Sequence, residues 1–260
     1  MFNEMTLYNS IGKGYDRTRQ SDRRIVDRLI ELLDLRLGST IADVGAGTGN
    51  YSNAIANQGY KIIAIEPSAT MQAQAQPYKD VSWISAAAES IPLEDNTVDG
   101  AIVMLALHHF QNINRGLKEI NRITKGKIVI FAFEQGKIPD FWLTDYFPAF
   151  ITDTLATFPS TDAIASAIEQ ITNKKVDIIP FLLPSDLQDM FAAAGWQKPE
   201  IYLHESVRKG ISTFAKMDDS ELERGINKLA EDLENGVWLE KYGYLKQQQT
   251  YDAGYRIFVF

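Results

Sequence analysis

The stretch Thr40-Ile41-Ala42-Asp43-Val44-Gly45-Ala46-Gly47-Thr48-Gly49 runs an apolar segment into three glycines set two apart, with an acid two residues before the first. Such a run predicts a buried strand that ends where the backbone must come close to something else. Gly45, Gly47 and Gly49 remove every β-carbon from one side of the turn. A ligand can then lie against backbone N–H groups and the start of the next helix.

The rhythm around this turn sets the fold class. Apolar runs at 40–45, 61–66, 81–86, 98–105 and 127–134 alternate with helix-like stretches, and 113–126 carries Ile113, Leu117, Ile120 and Ile123 at helical spacing before Gly126. Several runs are apolar on consecutive positions, so both faces of the sheet must be covered. The pattern predicts an α/β doubly wound, mostly parallel sheet. An extra amphipathic helix over 22–38 precedes it. Beyond the fifth strand the alternation breaks, with five aromatics in 141–150, helical stretches at 162–171, 184–196 and 220–236, a strand-like 199–207 and a closing strand at 254–260. The expected division is a core with an N-terminal segment over 1–134, a cap insertion over 135–180, and the rest of the core over 181–260 with a second helical insertion at about 205–250.

Composition narrows the function classes. Lys and Arg total 26 against 34 Asp and Glu, a formal charge of −8 with no long basic block, which argues against a nucleic-acid partner. Cysteine is absent, which excludes disulfides, thiolate metal sites and a cysteine nucleophile and suits a cytoplasmic setting. No stretch approaches the roughly 18 apolar residues of a membrane span. Three histidines without paired carboxylates predict no metal site. A small-molecule partner and a monomer or weak dimer are the expectation.

A dinucleotide fingerprint places its third glycine three residues after the second, whereas Gly49 follows Gly47 by two and Asn50 holds the other place. Asp43 is an awkward neighbour for a pyrophosphate and a fitting one for an ammonium group, so a nicotinamide-dependent oxidoreductase is disfavoured. The 43–49 segment instead resembles the first motif of class I S-adenosylmethionine-dependent methyltransferases, as 65–68 resembles their second-strand acid and 86–110 their adenine-side motif and fourth strand. The resemblance is closest to the ubiquinone/menaquinone biosynthesis branch and covers residues 8–134. It implies a seven-stranded Rossmann-like methyltransferase fold with a helical cap, S-adenosyl-L-methionine as cofactor, and methylation of a small, apolar or aromatic metabolite by direct in-line transfer.

Cofactor-binding candidates carried over are Tyr8, Tyr15, Arg19, Asp43, Gly45, Ala46, Gly47, Gly49, Glu66, Pro67, Met71, Ala88, Glu89 and Leu105. Glu66, at the end of the second strand, would accept the ribose hydroxyls, and Met71 would pack on adenine. Ala87-Ala88-Glu89 departs from the family's D-A-E triplet. Tyr8, Tyr15 and Arg19 fall in a segment resembling the family's lid. His108 and His109 end the fourth strand and are candidates for a general base or for packing alone. Trp142, Tyr146 and Phe147 are read either as cap core or as substrate-pocket walls, and Asp43 either as an ammonium partner or as a cap of the turn. A cofactor-binding protein without catalysis is the remaining alternative.

Overall fold

The computed structural model describes residues 19–260. Strand β1 (Thr40–Val44) lies at the centre of a seven-stranded sheet, with β2 (Lys61–Ile65) and β3 (Val81–Ile84) on one side and β4 (Gly100–Met104) and β5 (Ile128–Phe133) on the other. These five are parallel. Beyond β5 lie β9 (Tyr255–Val259) and, at the edge, β6 (Asp177–Pro180), so that β9 pairs antiparallel with both of its neighbours and the order is β3-β2-β1-β4-β5-β9-β6. Strand order reverses between β1 and β4, and their carboxyl ends open a crevice there.

Alternate side chains of each strand feed two separate apolar clusters. Val129, Phe131 and Phe133 of β5 pack with Ile25, Val26 and Leu29 of α1 (Arg23–Leu33), and Asp22 caps that helix by accepting from the Arg24 N–H at 2.9 Å. Ile128, Ile130 and Ala132 pack on the opposite face with Leu117 and Ile120 of α4 (Ile113–Ile123) and Ile164 and Ile168 of α6 (Thr161–Thr172). Two covered faces are why the strands read as continuous apolar runs. Short helices α2 (Asn50–Ala56) and α3 (Ala69–Gln72) follow β1 and β2, and their amino ends face the crevice.

Beyond β5 the chain departs from expectation in three places. Residues 184–196 form no helix; β7 (Leu183–Pro184) pairs with β8 (Thr250–Tyr251), and the chain then turns repeatedly to bury Leu187, Asp189, Phe191 and Trp196. Residues 199–207 form no strand, but a 3-10 turn (Pro199–Leu203) leading into α7 (Glu205–Lys209). Pro199 cannot donate to a ladder, and Tyr202 folds back so that its hydroxyl donates to the Ala192 carbonyl at 2.7 Å and accepts from the Gly195 N–H at 3.1 Å. The third departure is β6, which joins the core sheet, as α6 joins its helical layer, so the cap segment expected over 135–180 contains two core elements.

The remaining cap consists of α5 (Ala149–Thr157), α8 (Ser212–Lys216), α9 (Asp219–Glu234) and α10 (Val237–Tyr242) with 3-10 turns between them. Ile120 is fully buried between α4 and the sheet. Ile120→Ala is expected to cost about 2–5 kcal/mol, read as a lower denaturation midpoint with an unchanged slope.

Candidate active site

A cavity of about 730 Å³ occupies the crevice above β1, β2 and β4. The glycine turn forms its floor. Gly45 has φ +77°, and a β-carbon there would lie 2.5 Å from the Ala106 Cβ, so the residue after β1 and the loop after β4 meet at backbone distance. Gly49 has the same φ, caps α2 and does not line the cavity; a β-carbon on it would strike the Trp83 ring at 2.7 Å.

Glu66 closes the second side. Its Oε2 accepts from the Gly47 N–H at 3.0 Å and its Oε1 from the Ser68 N–H at 2.9 Å. Burial pushes its carboxyl above the usual carboxylate value, and these two bonds oppose the rise. Each oxygen keeps acceptor capacity beyond its one backbone bond, enough for a pair of hydroxyls.

Asp43, at the end of β1, is 1% exposed. Its Oδ2 accepts from the Ser52 hydroxyl at 2.6 Å, while its Oδ1 is enclosed with no hydrogen-bond partner. Burial raises its pKa to about 7, the Ser52 bond opposes the rise and nearby Glu66 adds to it. Asp43 therefore braces α2 through Ser52 and retains an unsatisfied acceptor. Such an oxygen is a fitting acceptor for an ammonium group.

Ala46, Pro67, Met71, Ala88, Glu89 and Leu105 line the same cavity. Glu89 stands at the rim, where its Oε1 accepts from the Asn112 N–H at 3.0 Å. Tyr8 and Tyr15 lie outside the described residues. Arg19 reaches the cavity and its Nε donates to Asp189 Oδ1 at 2.5 Å, while the Tyr51 hydroxyl donates to Asp189 Oδ2 at 3.1 Å. The Asn50 side chain donates to the Arg19 carbonyl and ties this segment to the start of α2. Asp189 and Tyr51 escape sequence reading because the Arg19 contact spans 170 positions. Only the neighbouring Asn50-Tyr51 pair, directly after the glycines, carried a signal.

A second, apolar hollow of about 90 Å³ adjoins the first. Arg19, Leu105 and His109 line both, whereas His108 faces the inner hollow alone. Leu105 has φ +49°, a costly conformation for a leucine. Trp142, Tyr146 and Phe147 line neither space. They are buried in the cap core: the Trp142 indole donates to the Trp196 carbonyl at 2.9 Å, the Tyr146 hydroxyl to Asp232 Oδ2 at 2.9 Å, and the Phe147 ring meets Phe214 edge-on at 4.9 Å. From the same aromatic run, Phe141 and Phe150 do reach the inner hollow.

Comparison with known proteins agrees with this geometry. The profile of a family described as "Methyltransferase domain" matches residues 42–131. A crystal structure from Anabaena variabilis, named for a proposed role as a methyltransferase from an antibiotic biosynthesis pathway, is 45% identical, covers 93% of this chain, is itself covered to 98%, and superposes with a TM-score of 0.90. The chain belongs to the S-adenosylmethionine-dependent methyltransferases. Demethylmenaquinone methyltransferase of Corynebacterium urealyticum is 33% identical over 143 residues, and the match spans 52% of this chain and 62% of that protein's length. Phosphoethanolamine N-methyltransferase 2 of Haemonchus contortus, solved in complex with S-adenosyl-L-methionine, shares the fold at 14% identity and a TM-score of 0.58, covering 95% of this methyltransferase and 55% of its own chain.

The residues present fit the family's cofactor. A diol acceptor at Glu66, an unsatisfied buried carboxyl at Asp43 and a bare backbone between them match a ribose, an ammonium group and the chain joining them. Glu66→Gln is expected to weaken S-adenosylhomocysteine binding about ten- to a hundredfold in calorimetry, from a loss of roughly 1.5–3 kcal/mol. Asp43 also sets a pH dependence. Between its ordinary value of 3.8 and about 7 the folded carboxyl keeps a proton that the unfolded one has lost, so stability without cofactor falls as pH rises through that window. Thermal unfolding measured from pH 4 to 7 should show this slope in the wild type and a shallower one in Asp43→Asn.

Proposed function

We propose that this methyltransferase transfers the methyl group of S-adenosylmethionine to a small apolar or aromatic metabolite held in the inner hollow. The observation that carries the reading is the junction of the two spaces. The cofactor cavity meets an enclosure walled by Phe133, Phe141, Phe150, Phe158 and Phe191 at Arg19, Leu105 and His109. When bound, the cofactor supplies a methyl group already activated on a sulfonium sulfur.

The chain's own contribution is positional. Glu66 and Met71 hold the nucleoside half, and Asp43 holds the ammonium end. The phenylalanine walls exclude water and confine the acceptor, and such alignment can supply on the order of 7–11 kcal/mol at the limit. No covalent intermediate is required. Similarity to a protein named for an antibiotic biosynthesis pathway, and to a demethylmenaquinone methyltransferase, supports a role in natural-product or quinone-like biosynthesis. A net charge of −8 favours a small molecule over nucleic acid, and the absence of cysteine favours the cytoplasm. Among the described residues no helix is long and apolar enough to cross a membrane.

Calorimetric titration with S-adenosylmethionine and S-adenosylhomocysteine, with NADH as control, tests the cofactor half. Micromolar affinity for the first two and none for NADH is expected. Turnover against a panel of aromatic and quinone-like acceptors then tests catalysis, and tight cofactor binding with no acceptor methylated would return the non-catalytic alternative.

A further inference from the structure

The polar groups of the inner hollow are unevenly chosen. Two imidazoles, the Arg19 guanidinium and the hydroxyl residues Thr154, Ser212, Thr213 and Tyr255 line it, and among the described residues no carboxylate does. Asp153 lies nearby but is engaged, accepting from the Thr213 hydroxyl at 2.7 Å and from Lys216 Nζ at 3.1 Å. Within the hollow, an amine entering as its cation would lose its water and meet a guanidinium but no carboxylate. A neutral or anionic oxygen acceptor meets no such penalty.

The two histidines divide the work. His109 lines both spaces and so stands at the junction through which an acceptor in the hollow would reach the cofactor cavity. His108 sits behind it, with ring centroids 3.8 Å apart, and packs on Phe158 at 4.1 Å. Burial first, then the charges of His109, Lys216 and Arg19, hold His108 well below the ordinary histidine pKa. It therefore stays neutral and sets no like charge beside its neighbour. The other charged groups in reach are Glu66, which couples to His109, and Asp189, which is paired with Arg19.

We propose that the hollow takes an apolar, ring-sized acceptor bearing an ionisable hydroxyl, a phenol or enol, and that His109 is the catalytic residue receiving the hydroxyl proton. The O–H bond breaks and its proton passes to an imidazole nitrogen of His109. The oxygen's electron pair forms the new O–CH3 bond, and the sulfur keeps the pair of the S–CH3 bond and leaves as a neutral thioether. This rests on the methyl-transfer reading above. A hydroxyl oxygen becomes strongly acidic as it gains the methyl group, so the proton need only have an acceptor within reach as the O–CH3 bond forms.

The test uses 4-nitrophenol, coloured only as its phenolate, with the full chain saturated by S-adenosylhomocysteine. The bound probe is expected to show its phenolate about one pH unit below the free probe, because the proton it gives up stays beside it on His109. His109→Gln should abolish that shift. Ser212→Leu, which fills the inner hollow alone, should abolish probe binding and leave the S-adenosylhomocysteine affinity unchanged, which keeps the proposal falsifiable if His109→Gln does not fold. An unshifted midpoint, a shift that survives His109→Gln, or equal competition by benzylamine would overturn it. Failure to bind S-adenosylhomocysteine would instead overturn the methyl-transfer reading and this inference with it.

Discussion

The seating of Glu66 between two backbone N–H groups is the constraint on which the site depends. One comes from Gly47 in the turn after β1 and the other from Ser68 at the amino end of α3, so a single carboxylate holds two strand ends in register. The sheet pairs Val44 with Ile65, and the Ile65 carbonyl accepts from the Gly45 and Ala46 N–H groups just beyond. Glu66 extends that tie one residue further, to Gly47, before any ligand arrives. The same bonds offset part of the burial that would otherwise favour its neutral form.

Asp43 and Asp189 are buried on comparable terms with different outcomes. Asp189 has Arg19 and Tyr51 and is satisfied, whereas Asp43 has only Ser52 on one oxygen. An unpaired buried acceptor costs stability, and folded proteins keep few of them. Asp43 carries that cost beside the glycine turn, in the wall of the cavity.

How much of this was legible in the sequence follows from the range of the interactions. The core strands announced themselves because both faces are covered, and α4 because its apolar spacing matches the helical period. Glu66 was readable from its distance to the glycines. The edge strand β6 was not: it is four residues long, largely exposed, begins with Asp177 and ends with Pro180. Residues 184–196 carried a helix-like pattern, yet Asp189 is drawn inward by Arg19 from the far end of the chain. The aromatic run 141–150 concealed its division of labour, because neighbouring side chains point into different spaces. Phe141 and Phe150 face the hollow while Trp142, Tyr146 and Phe147 fill the cap. No local period separates them.

The antiparallel strand between β5 and β6 also orders the assembly of the molecule in time. Among the described residues β6 pairs with β9 alone, and β9 covers the hydrogen-bonding edge of β5, all six of whose residues are apolar and buried. A chain emerging from the ribosome has made β5 by residue 133 but waits until residue 259 for the strand that closes it. During that interval an uncharged strand edge is open to pairing with other chains. Closure over so long a loop is slow, and it is at this late step that nascent copies are most exposed to aggregation.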